Sequence, residues 1–182
     1  QDYYGDTLLI LSIESDNLEL TKFLLKQPSI NINLTNRYDE SALAIAIEYK
    51  REKVVELLLD RLDIDVNVTD SHELPLNMAI KYSSKEIIKE ILNLPDLDIN
   101  KIDDRGRTPL MTAIENENVD AVQLLLENKN LIVNKNDRFK RIPLNYAADH
   151  NLLKIIELLI KHKDILINSK DTDGKTSLMC AS

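Results

Sequence analysis

The sequence predicts a mostly α-helical protein made of tandem copies of one short unit, and two ladders of residues carry that prediction. Leucine recurs in steps of 33 or 34 residues, at Leu9, Leu43, Leu76, Leu110, Leu144 and Leu178. Asparagine recurs with the same steps, at Asn33, Asn67, Asn100, Asn134 and Asn168. Because both ladders share one period, we interpret residues 1–182 as a single array of about five to six copies, each packing on its neighbours.

Each copy begins with a short predicted helix, as the fourth copy illustrates. Thr108 suits an N-cap, since its hydroxyl can accept a hydrogen bond from an orphan N–H, and Pro109 suits the first helical position. Leu110, Ala113 and Ile114 then place one apolar stripe on the helix. All five other copies have Ala or Ser at the place of Ala113, which predicts close contact between neighbouring helices.

A second predicted helix and an extended segment complete the copy. The helix is visible in "NVDAVQLLLEN" and "EKVVELLLDR", and the extended segment in "LDINKIDDRGR". Alternating apolar and polar residues with turn-formers at the tip are typical of a hairpin. The order is therefore helix, helix, hairpin.

The stretch "GRTPLMTAIENENVDAVQLLLENKNLIVN" resembles an ankyrin repeat, whose pattern runs G-x-T-P-L-H-x-A-A, then L-L-L, then D-V-N. The resemblance covers the whole chain. It implies a solenoid of helix-turn-helix units joined by β-hairpin-like loops, with partners bound on a concave face formed by hairpin tips and first helices. The tetratricopeptide repeat shares the period, but lacks the extended segment and the T-P-L opening.

Several residues depart from the ankyrin pattern. Every copy lacks the histidine after T-P-L, so we expect the hydrogen bond near that helix start to be lost throughout. At the tip glycine position, where φ is positive, Asp39 and His72 are plausible substitutes and Lys140 is a poor one. Leu74 and Ile142 replace the capping Thr, at a cost of about 1 kcal/mol each. We therefore expect looser hairpins in copies three and five.

Composition excludes several classes of function. The net charge of -8 disfavours nucleic acid as a partner, and no apolar run approaches the roughly 18 residues that span a bilayer. Cys180 is the single cysteine and cannot form an intramolecular disulfide. We therefore expect a cytoplasmic protein that does not insert into membranes.

No residue pattern indicates catalysis, a metal or a cofactor. The three histidines lack metal-ligand spacing, and "GKTS" at 174–177 lacks the earlier glycine of a phosphate-binding loop. The sequons at Asn33 and Asn67 fall on the asparagine ladder, where the ankyrin resemblance implies a structural role. We expect no enzyme activity in this segment.

Aromatic and arginine residues concentrate on the positions that the resemblance assigns to the binding face. Five of the six tyrosines and five of the seven arginines lie there. These residue types dominate binding hot spots, although scattered exposed tyrosines are also common on any protein surface. The candidate contact residues are Tyr38, Tyr49, Tyr82, Arg105, Arg107, Arg138, Phe139 and Arg141.

The tips of copies four and five combine these arginines with Lys140 around Phe139, on an otherwise acidic chain. The sequence therefore predicts a protein-interaction module whose partner presents an acidic or phosphorylated segment, since Arg pairs bidentately with both groups. Two alternatives stay open: the recruiting or inhibitory arm of an enzyme whose catalytic domain lies elsewhere, and a mechanical spacer. Neither end has a polar cap, which favours an excerpt of a longer array over an open end that docks a partner.

Overall fold

The computed structural model describes residues 1–68 and 73–180. Within them the chain forms eleven helices, which are five pairs followed by a single short helix. In chain order the helices are α1 Leu8–Glu14, α2 Leu18–Leu25, α3 Ala42–Glu48, α4 Glu52–Leu59, α5 Pro75–Tyr82, α6 Lys85–Leu92, α7 Pro109–Glu115, α8 Val119–Glu127, α9 Pro143–Asp149, α10 Leu153–Ile160 and α11 Ser177–Cys180.

Gln1–Leu97 and Asp98–Ser182 each form a compact unit. In the first unit, α1 packs on α2 and α3, α3 packs on α4 and α5, and α5 packs on α6. The second helices α2, α4 and α6 contact one another in turn. In the second unit, α9 packs on α7, α10 and α11, while α8 packs on α7 and α10. Each unit thus has a layer of first helices and a layer of second helices.

The predicted start of the first helix is confirmed where a hydroxyl is present. The Thr108 hydroxyl oxygen accepts a hydrogen bond from Met111 N–H at 3.3 Å, and Pro109 occupies the first turn of α7. Thr7 and Ser41 cap α1 and α3 in the same way, each at 3.1 Å. The helices thus begin where the sequence predicts.

Small residues lie between neighbouring helices, where the sequence predicts close contact. Ala46, Ala79, Ala113 and Ala147 are each 0% exposed. In copy one the same place holds Ser12, whose hydroxyl donates to Leu9 C=O at 2.8 Å and lies 2.9 Å from the Thr21 hydroxyl. The larger group is therefore accommodated by hydrogen bonds.

The asparagine ladder joins each copy to the next. Asn100 Nδ2 donates to Asn130 C=O at 2.7 Å, and its Oδ1 accepts from Ile132 N–H at 2.7 Å. Asn33 and Asn134 make the same two bonds with the following copy, and Asn67 Nδ2 donates to Asp96 C=O at 2.7 Å. The structural interpretation of the sequon residues Asn33 and Asn67 is confirmed.

The connecting segments close in tight turns and not in paired strands. Among the described residues the β contacts outside helices are isolated bridges, one between Thr35 and Ser41 and one at Glu73. In copy four, Asp103 Oδ1 accepts from Arg105 N–H at 3.0 Å and Arg107 N–H at 2.8 Å. Asp103 N–H in turn donates to Arg107 C=O at 3.0 Å, which shuts the loop.

Copy five corrects two expectations. Its tip carries the same bonds, because Asp137 Oδ1 accepts from Phe139 N–H at 2.8 Å and Arg141 N–H at 2.9 Å, so this hairpin is not looser. Asn145 Oδ1 accepts from Ile142 N–H at 3.0 Å, so the hydrogen bond at the helix start is not lost in every copy. The tip of copy three, with His72, lies outside the described residues.

Several residues with side chains adopt the left-handed conformation that favours glycine. Asp39 and Lys140 do so at the tips, with φ of 58° and 59°, as their alignment with the tip glycines predicts. Between the first and second helices, Asp16, Lys50, Glu117 and Asn151 also have φ of 53–56°. This second group was not predicted, because no copy has a glycine at these places to indicate a positive φ.

Glu117→Gly is expected to stabilise the protein by about 0.5–1 kcal/mol, because glycine relieves the strain of a left-handed side chain. An increase in the melting temperature by about 2–4 °C would register the gain. Ser83 is the matched control, since it lies in the corresponding turn but has φ of -104°. Ser83→Gly should lower stability, and equal effects in the two variants would contradict the explanation.

Candidate protein-interaction surface

The guanidinium of Arg107 is bound within its own copy. Its Nε and Nη2 donate to Asp103 Oδ2 at 2.9 and 2.7 Å, and its Nη1 donates to Glu115 Oε2 at 2.7 Å. Burial lowers the pKa of Arg107, but the bonds and charges of the two carboxylates outweigh burial and raise that pKa. Only 12% of the Arg107 side chain is exposed, so Arg107 stabilises the tip and contributes little positive charge to the surface.

Arg141 is held in a similar way, with two aromatic rings added. Its Nε donates to Asp137 Oδ2 at 2.9 Å and its Nη2 donates to the Tyr146 hydroxyl oxygen at 2.7 Å. The guanidinium carbon lies 4.4 Å from the ring centroid of Tyr146 and 5.4 Å from that of Phe139, within range of cation–π attraction. Arg141 therefore supports Phe139, whose ring is 59% exposed.

Of the five cations at the tips of copies four and five, three remain exposed: Arg105, Arg138 and Lys140. Arg138 Nη2 donates to Asp104 C=O at 2.6 Å, which ties the tip of copy five to that of copy four. The Arg138 side chain also lies so close to Gly106 that a Cβ there would meet its Cγ at 2.9 Å. The displayed positive charge is thus smaller than the sequence count of five, and it surrounds Phe139.

The predicted tyrosines lie in the other unit. Tyr38, Tyr49 and Tyr82 are 61%, 50% and 44% exposed. Tyr38 lies in a tip, whereas Tyr49 and Tyr82 occupy matching places at the C-terminal ends of α3 and α5. The four predicted arginines, Lys140 and Phe139 lie in Asp98–Ser182, and the three predicted tyrosines lie in Gln1–Leu97.

The first unit also contains a group of neighbouring carboxylates that was not predicted from the sequence. We call Asp2, Asp6, Glu14 and Glu40 the carboxylate face. Asn36 Nδ2 donates to Asp6 Oδ1 at 3.0 Å and to Glu40 Oε2 at 2.9 Å, so one neutral amide serves two acids. Burial raises the pKa of Glu14, and the charges of Asp6, Glu40 and Asp2 raise it further.

Among the described residues, none of these four carboxylates forms an ion pair. A signal in the sequence could have revealed the group. The residue just before the first helix cap is Asp6, Glu40 and Glu73 in the first three copies, but Arg107, Arg141 and Lys175 in the last three.

Across residues 1–68 and 73–180, no helix combines the length and apolarity that a bilayer crossing requires.

Comparison with known proteins agrees with this geometry. The family of ankyrin repeats, described as three copies, matches residues 1–70 and 71–137. No curated protein matches the sequence significantly.

Two solved structures share the fold. The ankyrin repeat domain of Bcl-3, a member of the IkappaB protein family, is 23% identical, with a TM-score of 0.88 over 100% of this chain and 80% of that one. The ankyrin repeat protein EF0377 is 24% identical, with a TM-score of 0.87 over 100% of this chain and 92% of that one. The paired helices, the capped tips and the family match lead to one conclusion: this chain belongs to the ankyrin repeat family.

Proposed function

We propose that this chain is a non-catalytic interaction module, which binds a partner protein through its hairpin tips and first helices. Ankyrin repeats are generally protein–protein interaction modules. The observation that carries the proposal is the exposed Phe139 ring, held on Arg141 and flanked by Arg138 and Lys140. A rigid aromatic residue among cations is typical of an interface hot spot.

The partner segment proposed for these tips is acidic or phosphorylated. Arg105, Arg138 and Lys140 supply the charge, because the guanidiniums of Arg107 and Arg141 are bound to carboxylates of their own copies. Cationic side chains recognise carboxylate and phosphate by charge-assisted hydrogen bonds. The single cysteine Cys180 favours a reducing, cytoplasmic setting for such an encounter.

Fluorescence anisotropy with two labelled peptides tests this function. One peptide is rich in Asp and Glu around a central Leu, and the other has phosphoserine in place of two of the acids. We expect saturable binding of at least one peptide, weakened by higher salt. The triple variant Arg105→Ala, Arg138→Ala, Lys140→Ala should bind about tenfold more weakly, since each exposed pair contributes a few tenths to 1 kcal/mol.

The chain offers a matched control of equal charge. Lys129, Lys154 and Lys163 are exposed in the same unit, on or next to the second helices and away from the tips. Replacing these three by Ala should leave the affinity unchanged. Equal loss in both triple variants, or no saturable binding of either peptide to the wild type, would refute the proposal.

A further inference from the structure

In three copies the residue just before the first helix cap forms an ion pair inside its own copy. Glu73 pairs with Lys81, Arg107 pairs with Asp103 and Glu115, and Arg141 pairs with Asp137. A cation therefore lies among the acids at the junction of tip and first helix in each of these copies. Such pairing offsets the desolvation of charges that are partly buried.

Copies one and two lack that cation. Their residues before the cap are Asp6 and Glu40, which share the single amide of Asn36. Glu14 adds a third carboxylate close enough for its charge to be repelled by both. Arg37 is the nearest tip cation in sequence, but its guanidinium lies over the Tyr3 ring, 4.9 Å from the centroid.

Copy four shows what the same positions hold when a cation is present. By distance from the cap, Asp2 and Glu14 correspond to Asp103 and Glu115. Those two counterparts bind the Arg107 guanidinium at 2.7 Å each. The backbone frame is the same in both copies, because Asp2 Oδ1 accepts from the N–H groups of Tyr4 and Asp6 as Asp103 Oδ1 does from Arg105 and Arg107.

Exposed tyrosines lie on the same two tips as Asp2, Asp6 and Glu40. Tyr3, Tyr4 and Tyr38 lie on the two tips and are 76%, 53% and 61% exposed. The stacking of Arg37 on Tyr3 shows that a guanidinium already rests on a ring of this surface. Carboxylates beside aromatic faces are the surroundings that a desolvated cation prefers.

We propose that the carboxylate face is a second binding surface, which receives an arginine or lysine side chain from a basic segment of a partner protein. The incoming cation lies between Asp2 and Glu14, the counterparts of the two acids that bind Arg107 in copy four, and the neighbouring carboxylates Asp6 and Glu40 add negative charge beside it. This surface has the opposite charge preference from the tips around Phe139 and does not depend on them.

A labelled peptide of alternating Arg and Ser tests the proposal, with the same peptide carrying citrulline as the uncharged probe. We expect saturable binding of the Arg peptide only. The double variant Glu14→Gln, Glu40→Gln should weaken it about tenfold, which corresponds to roughly 1.4 kcal/mol. Glu86→Gln, Glu127→Gln removes the same charge from exposed places on second helices and should have no effect.

Asp6→Arg is the sharper variant, because it supplies the cation from within the chain. The new guanidinium should pair with Asp2 and Glu14 as Arg107 pairs with Asp103 and Glu115, so binding of the Arg peptide should vanish. Equal losses in the Gln double variant and its control, retained affinity in Asp6→Arg, or failure of the wild type to bind would each overturn the proposal.

The outcome is separable from that of the proposed function. Binding of the Arg peptide should persist in Arg105→Ala, Arg138→Ala, Lys140→Ala. Binding of the acidic peptides should persist in Glu14→Gln, Glu40→Gln.

Discussion

Replacing Asp137 by Ala is expected to lower the free energy of unfolding by about 3–5 kcal/mol, the loss typical of a buried ion pair that is broken on one side. The Asp137 side chain is 2% exposed. Its Oδ2 accepts from Arg141 Nε and the Tyr146 hydroxyl, and its Oδ1 from two backbone N–H groups. Alanine removes both acceptor oxygens, and with them four hydrogen bonds, and leaves the half-buried Arg141 charge without its carboxylate partner.

Chemical denaturation at neutral pH measures this loss, and Asp171→Ala is the control. Asp171 makes the same two backbone bonds in copy six, to Asp173 N–H at 2.9 Å and Lys175 N–H at 2.8 Å. Among the described residues Asp171 forms no ion pair, so Asp171→Ala should lower the free energy of unfolding clearly less than Asp137→Ala. Similar losses in the two variants would show that the ion pair contributes little.

The effect of Asp137 should also depend on pH with a definite sign. Burial raises the pKa of this carboxyl, but hydrogen bonds from Arg141, Tyr146 and Phe139 outweigh burial and hold the pKa below its usual 3.8. A carboxyl with a lowered folded-state pKa stabilises the fold above the unfolded-state value and loses that contribution as pH falls through the folded-state value. The difference between wild type and Asp137→Ala should therefore be full above about pH 4 and shrink in stronger acid.

The parts of the fold that the sequence predicts correctly are those that repeat. The capping hydroxyls of Thr7, Ser41 and Thr108, the alanines between helices and the asparagine ladder recur at fixed spacing, and each type of residue makes the same kind of contact in most copies that contain it. A periodic residue must satisfy a periodic contact, so its role can be inferred without coordinates. The capping of Ile142 by Asn145 escaped this reasoning because it replaces the hydroxyl cap through a different residue of the same turn.

The candidate interaction surface was less predictable. A residue type gives the sign of a charge, but it does not show whether the side chain faces solvent or a carboxylate of its own copy. Arg107 and Arg141 satisfy carboxylates four residues earlier, a spacing that is visible as D-x-x-x-R in both copies. That spacing predicts that both arginines stabilise the tip through an ion pair and do not contact a partner. The carboxylate face is harder still, since Asp6 and Glu40 belong to different copies and meet only through Asn36.

One position in the repeat thus sets two different surface chemistries. Where the residue before the cap is Arg107 or Arg141, the acids of that copy are neutralised and the neighbouring tip cations dominate. Where it is Asp6 or Glu40, the acids stay unpaired among tyrosines. The two proposals together predict that a change of sign at this one position converts an anion-binding tip into a cation-binding one. The turn itself should be unaltered, because it depends on backbone bonds to Asp or Asn.

Asn77→Leu and Asn145→Leu are expected to change the free energy of unfolding in opposite directions, although each Asn is the third residue of its helix, α5 or α9. Both side chains are 0% exposed. Asn145 Oδ1 accepts from Ile142 N–H, whereas both amide atoms of Asn77 lack a hydrogen-bond partner within residues 1–68 and 73–180. A buried polar group without a partner costs about 1–3 kcal/mol, and an apolar group of the same shape removes that cost.

Asn77→Leu should therefore raise the free energy of unfolding by about 1 kcal/mol or more, since Leu is nearly isosteric with Asn. Asn145→Leu should lower it by about 1–3 kcal/mol, because the buried Ile142 N–H would lose its acceptor. Urea denaturation of both variants decides the matter, with unchanged m-values confirming that the fold is retained. Destabilisation by Asn77→Leu would mean that its amide is hydrogen-bonded in solution, and stabilisation by Asn145→Leu would mean that its bond to Ile142 does not support α9.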